Sequence, residues 1–315
     1  MLSERFAFLR QYGIIVVLVI LIIFFSVTTR SFLQTENLWN VTRQVAMLGI
    51  SAVGMSCVIL TAGIDLSVGS VMSLTNIFCA TLMVKLGVHP VIAVFCTLIL
   101  AVLVGFINGI FINEFKVPPL ITTLGTMTTL RGLSYVLCGG MPIFGFPDQF
   151  RILGQGYLGK IPIPVIIMLG IFILGWTFLN KIRYGRYIYG LGGNEEAVRL
   201  SGINVKYMKY MVYMLSAFLT GIASIIMLSR INTGQPKIGT GFEMEVITAV
   251  VLGGVSIFGG QGKLFSVFIG VLIMGVLANG MILLNVSEYY QMVTRGAVLL
   301  AAVVFDNLSK HNKDM

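Results

Sequence analysis

Residues 61–70 read Thr-Ala-Gly-Ile-Asp-Leu-Ser-Val-Gly-Ser and stand between two long apolar runs. A single acid between segments that are apolar enough to enter a bilayer is costly, so Asp65 indicates a role beyond burial. A polar turn between two membrane helices explains the glycines and serines but not the whole pattern. We expect Asp65 either to cap the helix that follows or to line an inner gate, with Ser67 beside it.

The composition is that of a polytopic membrane protein. Of the 315 residues, 57% are hydrophobic and 10% are charged, whereas soluble domains carry roughly 25% charged residues. The mean hydropathy of +0.95 excludes an ordinary soluble protein. The net charge of +9 does not indicate nucleic-acid binding, because the basic residues lie between apolar runs, as the positive-inside rule expects.

The cysteines predict neither a disulfide framework nor a metal site. Cys57, Cys79, Cys96 and Cys138 all lie in apolar segments, with no pair at CxxC spacing. They are typical of small core residues. We expect no metal, no cofactor and no catalytic residue in this chain.

The apolar runs predict an all-α fold of about ten transmembrane helices, in a single transmembrane domain over residues 1–315. The predicted spans lie near 13–29, 46–62, 67–85, 90–113, 118–138, 161–180, 209–229, 244–258, 264–285 and 288–308. The spans near 67–85 and 244–258 are rich in Gly and Ser, so a broken or re-entrant segment is the alternative for each. The first run resembles a signal peptide, but it lacks a small-x-small cleavage site, and we expect an uncleaved helix.

The basic residues predict the orientation. Loop 181–208 is rich in Lys and Arg and should be cytoplasmic. Both termini are basic as well, which requires an even number of spans, six before this loop and four after it. The terminal residues concerned are Arg5, Arg10, Lys310 and Lys313. Loops 139–160 and 230–243 are then expected outside.

A short pattern recurs at a fixed distance along the chain. Asn108-Gly109 followed by Gly125 returns as Asn279-Gly280 followed by Gly296, and Thr123 matches Thr294 at the same offset. The two copies fall on span pairs that run in opposite directions, which predicts an inverted internal repeat. Chance similarity between apolar helices is the alternative.

The cytoplasmic loop predicts a short helix near residues 192–202. Asn194 is a good N-cap, Glu195 and Glu196 suit the first turn, and Gly202 suits the C′ position. Such defined ends suit docking into a groove on a partner. The docking residues we expect are Gly193, Asn194, Glu195, Glu196, Arg199, Leu200 and Gly202. A surface helix lying on the bilayer is the alternative, although its acids disfavour an anionic lipid surface.

Several motifs in this order resemble the permease subunit of an ABC sugar importer of the ribose-type branch. They are residues 58–70, the loop 192–202 and residues 250–260, with weaker similarity at 117–126 and 295–300. One departure is Ala62, where the family more usually has a second Gly. The Gly63 to Ser70 signature fits the sugar branch better than the related branched-chain amino-acid permeases.

The resemblance implies the architecture of large, type II-like ABC permeases in a bacterial inner membrane. It also implies a cytoplasmic ATPase that carries ATP and Mg, an extracytoplasmic sugar-binding protein, and a second permease copy or a close paralogue. The helix near 192–202 would then be the coupling helix. The substrates of the branch include ribose, other pentoses, hexoses, a signalling furanose and nucleosides, and the sequence does not separate them.

Arg131 and Arg295 are further pathway candidates because both lie inside predicted spans. Their guanidinium groups suit sugar hydroxyls, while snorkelling or pairing with Glu243, Glu245 or Glu288 is the alternative. Ser256 completes the gate candidates, beside Asp65 and Ser67.

Two other classes of protein compete with the importer. A proton- or sodium-coupled secondary transporter is the main alternative, but such carriers often keep a protonatable residue near mid-membrane, and the acids here cluster at predicted span ends. An intramembrane enzyme would need a nucleophile with a His partner or a cluster of zinc ligands, which the sequence lacks.

Overall fold

A computed structural model describes residues 2–311, with side chains for residues 13–304, 306 and 307. These residues form 13 α-helices: α1 (Leu2–Thr28), α2 (Thr35–Leu60), α3 (Val68–Ala80), α4 (Pro90–Asn113), α5 (Pro119–Cys138), α6 (Asp148–Gln155), α7 (Ile163–Lys181), α8 (Arg183–Gly193), α9 (Glu195–Leu200), α10 (Val205–Ile231), α11 (Phe242–Leu252), α12 (Leu264–Leu283) and α13 (Glu288–His311). A π-helical turn, Thr81–Lys85, extends α3. Strands β1 (Tyr157–Leu158) and β2 (Ile161–Pro162) pair as an antiparallel hairpin.

The fold is that of an all-α, multi-pass membrane protein. Within the described residues, six helices are long and apolar enough to cross a bilayer: α2, α3 with its π-helical turn, α4, α7, α10 and α12. In addition, α1 carries a shorter apolar stretch, Gly13–Thr28. The side chains of Arg5, Arg10 and Lys310, and the whole of Lys313, on which the expected orientation of the termini depends, lie outside the described part of the chain.

Each of the ten predicted spans overlaps a helix, but the segment near 244–258 does not form one continuous helix. There α11 ends at Leu252, and residues 253–263 are turns. Its 11 residues rise about 16 Å, only half of a bilayer core of about 30 Å. A broken segment, the alternative raised by its Gly and Ser content, is what the structure has here.

Two antiparallel helices, α2 and α10, form the centre of the bundle. They pack closely because Gly54 presents no side chain, and a Cβ there would lie 2.8 Å from the Cα of Ser216. On the other side of α10 lies α4, while α12 packs against α2, and α1 lies outside α12. The outer helices α4 and α7 are far less buried than α2 and α10, as expected for helices that face lipid.

Small residues set the distance between α4 and α10. A Cβ at Gly105 would lie 2.7 Å from the Cα of Met214, and one at Gly221 would lie 2.9 Å from the Cβ of Ala101. Close backbone approach through small residues is the usual way in which membrane helices gain packing energy. The position of α4 relative to the bundle centre therefore depends on these glycines.

Replacing Gly105 by Ala should destabilise the protein by about 1–3 kcal/mol, because the added methyl group meets backbone atoms that cannot move independently. Gly170 on α7 is the matched control, since no atom lies within 4 Å of its Cβ position. Gly170→Ala should leave stability unchanged or raise it by up to about 1 kcal/mol. Apparent melting temperatures in detergent test both variants, and an equal shift for the two would contradict the packing assigned to Gly105.

Candidate functional site

Residues 61–67 form a break between two helices. At its start, α2 ends at Leu60, and the backbone turns through Ala62, whose φ is +58°. Left-handed backbone of this kind favours glycine, which explains why a second Gly suits this position in the resembled family. Helix α3 begins only at Val68.

Asp65 holds this break together. Its carboxylate is buried and accepts three hydrogen bonds: from the backbone N–H of Ser67 (3.0 Å), from the Ser67 hydroxyl (2.5 Å) and from the Ser216 hydroxyl on α10 (3.0 Å). The bonds to Ser67 form a local turn that leads into α3. The carboxylate therefore fixes both the start of α3 and its contact with α10.

The hydrogen bonds continue from Ser67 into two further helices. The Asn108 amide on α4 donates to the Ser67 hydroxyl (3.1 Å), and the Thr126 hydroxyl on α5 donates to the Asn108 carbonyl (2.6 Å). We call Asp65, Ser67, Asn108, Thr126 and Ser216 the Asp65 network. It joins four elements through groups that lipid could not satisfy.

A second non-helical segment, residues 232–241, lies along α3. The Asn76 side-chain oxygen accepts from the backbone N–H of Gln235 (3.0 Å), and the Ser73 hydroxyl donates to the carbonyl of Pro236 (2.5 Å). Farther along, Gly239 packs against Gly69 so closely that neither position has room for a Cβ. This loop, which is expected on the outer side of the membrane, follows α3 for the seven residues from 76 to 69, about 10 Å.

Packing along α10 gives the depth at which the two breaks meet. Ser216, the partner of Asp65, lies seven residues beyond Lys209, or about 10 Å along the helix. Ser224, whose hydroxyl donates to the carbonyl of Met72, lies 15 residues beyond Lys209, or about 22 Å. Gly69 therefore lies between these levels, close to the middle of α10, whose 27 residues span about 40 Å.

The two arginines inside predicted spans pair with acids at the start of α11. Arg131 on α5 lies 3.7 Å from Glu243, and Arg295 on α13 forms a close ion pair with Glu245. Glu288, the third partner considered, is not in either pair. These pairs lie beside the meeting point of the two breaks, because Glu243 also packs against Gly69.

The helix predicted near 192–202 is α9, a short helix with the expected ends. Asn194 accepts a hydrogen bond from the backbone N–H of Ala197 (2.9 Å), and Gly202 has a φ of +79°. The Leu200 side chain is 79% exposed, and Glu195 pairs with Lys209 at the start of α10. The preceding α8 continues through Gly192 and Gly193, although glycine is a poor helix former.

Close contacts tie the end of α8 to the bundle. Gly192 packs against the carbonyl of Leu60, and the Gly260 N–H donates to that same carbonyl (2.9 Å). Nearby, the Tyr189 hydroxyl donates to the carbonyl of Gly262 (3.0 Å), and partial burial raises the pKa of Tyr189. A cleft of about 330 Å³ opens between α9, the end of α2 and the start of α10.

Ser256 lies apart from the Asp65 network. It is buried in the turn after α11, where its hydroxyl donates to Asp306 of α13 (3.1 Å). At the same end of the bundle, Lys206 donates to Glu114 (2.7 Å), and this hydrogen bond lowers the pKa of Glu114. Within residues 2–311, no cluster of His, Cys, Asp or Glu has a geometry that could hold a metal ion.

The structure therefore divides the candidate residues into three groups and one separate residue, Ser256. The docking residues lie on and around α9, Asp65 and Ser67 lie in the network, and the two arginines lie in ion pairs. Sequence reasoning missed Asn108, Thr126 and Ser216 as members of the Asp65 network. The available signal was that each is a polar residue inside an apolar helix, but such a residue does not name its partner.

Comparisons with known proteins agree with this architecture. Residues 37–303 match the family model described as branched-chain amino acid transport system / permease component. The chain is 44% identical over 300 residues to the ribose import permease protein of Bacillus subtilis, covering 95% of this chain and 93% of that protein. It is 38% identical to the L-arabinose transport system permease protein of Escherichia coli (96% and 92% covered) and 37% identical to the D-allose transport system permease protein of the same organism (96% and 93% covered). No solved structure matches the chain.

Asp65→Leu should destabilise the protein by about 3 kcal/mol or more, because it leaves several buried donors unpaired at about 1–3 kcal/mol each. Asp65→Asn keeps one acceptor oxygen and should cost less. The control is Asp148→Asn on α6, where the side chain is 90% exposed and the change should stay within about 0.5 kcal/mol. Melting temperatures in detergent rank the three variants. An Asp65→Leu protein as stable as the wild type would show that the network contributes nothing.

Proposed function

The chain belongs to the family of branched-chain amino acid transport system permease components, and from this membership we propose that it forms the transmembrane path of an ABC importer for ribose or a closely related monosaccharide. It is a transport subunit and not an enzyme, like the permeases that it matches. The single observation that carries the substrate class is the 44% identity to a ribose import permease over nearly the full length. The similar arabinose and allose permeases support a sugar rather than an amino acid.

We propose three partners for this permease. A cytoplasmic ATPase would bind ATP and Mg and would dock on α9. An extracytoplasmic binding protein would deliver the sugar, and a second permease copy, or a paralogue, would complete the path. The contacts of α8 with the end of α2 support such coupling, because movement at α9 would reach the bundle centre through Gly192 and Leu60.

The proposed topology has ten spans with both termini in the cytoplasm of a bacterial cell. An inverted repeat is supported by helix positions as well as by the recurring Asn-Gly pattern. Shifting α2 by the 171 residues that separate Asn108 from Asn279 gives 206–231, beside the observed bounds of α10, and shifting α5 gives 290–309, within α13. The breaks after α2 and after α10 correspond at the same offset.

Asp65, Ser67 and Ser256 are proposed as positioning residues rather than as groups that touch the solute. Their hydrogen bonds are made within the chain, to α10, α4 and α13, and each of the three side chains is buried. Such groups hold the helix ends between which a gate could move. Among the gate candidates, Arg131 and Arg295 are then the two residues that we propose for direct contact with the solute.

Stimulation of ATP hydrolysis by loaded binding protein tests the importer. The permease, its ATPase and its binding protein would be reconstituted in proteoliposomes with a panel of pentoses and hexoses. We expect binding protein loaded with one sugar, ribose or a close relative, to stimulate ATP hydrolysis. The same sugar should accumulate inside the proteoliposomes. Uptake that follows a proton or sodium gradient, with no stimulated hydrolysis, would replace the importer by a secondary transporter.

Leu200→Ala tests α9 as the docking element. Burying a leucine side chain in a partner groove is worth about 1.5–3 kcal/mol, so we expect affinity for the ATPase to fall about tenfold, with stimulated hydrolysis falling in parallel. Because Leu200 is 79% exposed in the isolated chain, the melting temperature of the Leu200→Ala permease alone should not change. The control is Leu86→Ala, at a residue that is 67% exposed at the opposite end of the bundle. Equal losses of ATPase affinity in the two variants would exclude specific docking at α9.

A further inference from the structure

The ion pairs at the start of α11 lie where two broken helices meet. The breaks 61–67 and 232–241 come together at Gly69 and Gly239, and α11 begins there at Phe242. In membrane transporters, discontinuous helices of this kind place unsatisfied polar groups near the middle of the bilayer. What the start of α11 can bind therefore depends on the side chains around it.

Those side chains keep unused hydrogen-bonding capacity. Arg131 and Glu243 stand 3.7 Å apart, farther than a hydrogen bond. Arg131 Nη2 and Glu243 Oε2 are both buried, and neither has a hydrogen-bond partner among residues 2–311. The Glu243 side chain is only 8% exposed. Buried polar atoms without partners are costly, so this gap is suited to a group that can donate and accept at once.

The face that carries these charges is more polar than the exposed face of α4. On α4 the exposed side chains are apolar, as with Phe95 and Leu103. On α5, Thr128 and Gly132 are exposed beside Arg131, whose side chain is 32% exposed, although α5 exposes Leu124 as well. A charged group facing hydrocarbon near the bilayer centre costs about 2.5–3.5 kcal/mol even on insertion scales. This exposed face of α5 therefore needs to be shielded from lipid by the second permease copy, with a polar path between the two copies.

Resting on the proposed function, we propose that Arg131, Glu243, Glu245 and Arg295 form a hydroxyl-binding constriction that an uncharged monosaccharide contacts as it passes between two permease copies. Two guanidinium groups and two carboxylates sum to zero charge, so the site attracts neither cations nor anions as a class. Sugar hydroxyls both donate and accept. They can therefore bridge a guanidinium and a carboxylate that stand too far apart to bond directly.

The double variant Glu245→Met/Arg295→Met separates this role from a structural one. The Glu245–Arg295 pair is partly buried, and replacing even a buried ion pair with apolar side chains of similar size is often neutral for stability. The transporter should therefore still assemble, and loaded binding protein should still stimulate hydrolysis. Sugar uptake per ATP should fall by about tenfold or more, because hydrogen bonds to charged groups are lost. The matched control is Glu114→Met/Lys206→Met, an exposed pair at the end of the bundle, which should transport within about twofold of the wild type.

Sugar uptake per ATP by the Glu245→Met/Arg295→Met variant within twofold of the wild type would overturn the constriction. Absence of stimulated hydrolysis in the wild-type complex, with every sugar tested, would instead overturn the importer itself, so the two failures are distinct.

A second measurement does not depend on removing charges. Thr128→Cys, next to Arg131 on the exposed face of α5, should react in the assembled transporter with a charged, membrane-impermeant thiol reagent, and it should be protected during sugar transport. Leu103→Cys on α4, which is 50% exposed, is the control and should not react. Equal inertness of both thiols would place the face of α5 in lipid and would overturn the proposal even if the charge variants failed to fold.

Discussion

Backbone polar groups inside a bilayer must find partners within the protein, and this constraint explains most of what distinguishes this bundle from a simple set of spans. Two segments, 61–67 and 232–241, leave the helical path at membrane depth. The first is tied to its surroundings by the Asp65 network, and the second by Asn76 and Ser73 of α3. Each break is tolerated because neighbouring elements supply donors and acceptors that water would otherwise provide.

The sequence predicted the helices well because membrane burial requires long apolar runs, and such runs are visible in the local composition. It also indicated the break in the segment near 244–258, through its Gly and Ser content, and the ends of α9, through Asn194 and Gly202. The segment near 67–85, for which the same alternative was raised, is instead continuously helical. These are local signals, since a cap or a turn depends on residues that are close along the chain. The left-handed backbone at Ala62 explains why a glycine would suit this position, but it does not explain the alanine.

What the sequence did not predict is non-local. Asp65 and Ser216 are 151 residues apart, and nothing in either neighbourhood names the other. The partners of Arg131 and Arg295 were open among three acids, because helix depth restricts the choice but rotation about the helix axis decides it. The orientation of the spans predicts the side of the membrane on which loop 230–243 lies, but it does not predict that this loop packs along α3 against Ser73 and Asn76.

The meeting of the two breaks also has a consequence for how the chain is made. The Ser73 hydroxyl and the Asn76 carbonyl find their partners 163 and 159 residues later in the sequence. At synthesis rates of about 5–20 residues per second, the first half of the bundle therefore waits on the order of 10–30 s before its interior can close. During that interval these polar groups depend on the insertion machinery or on trapped water. Biogenesis, and not only transport, is thus expected to impose a demand on the middle of this protein.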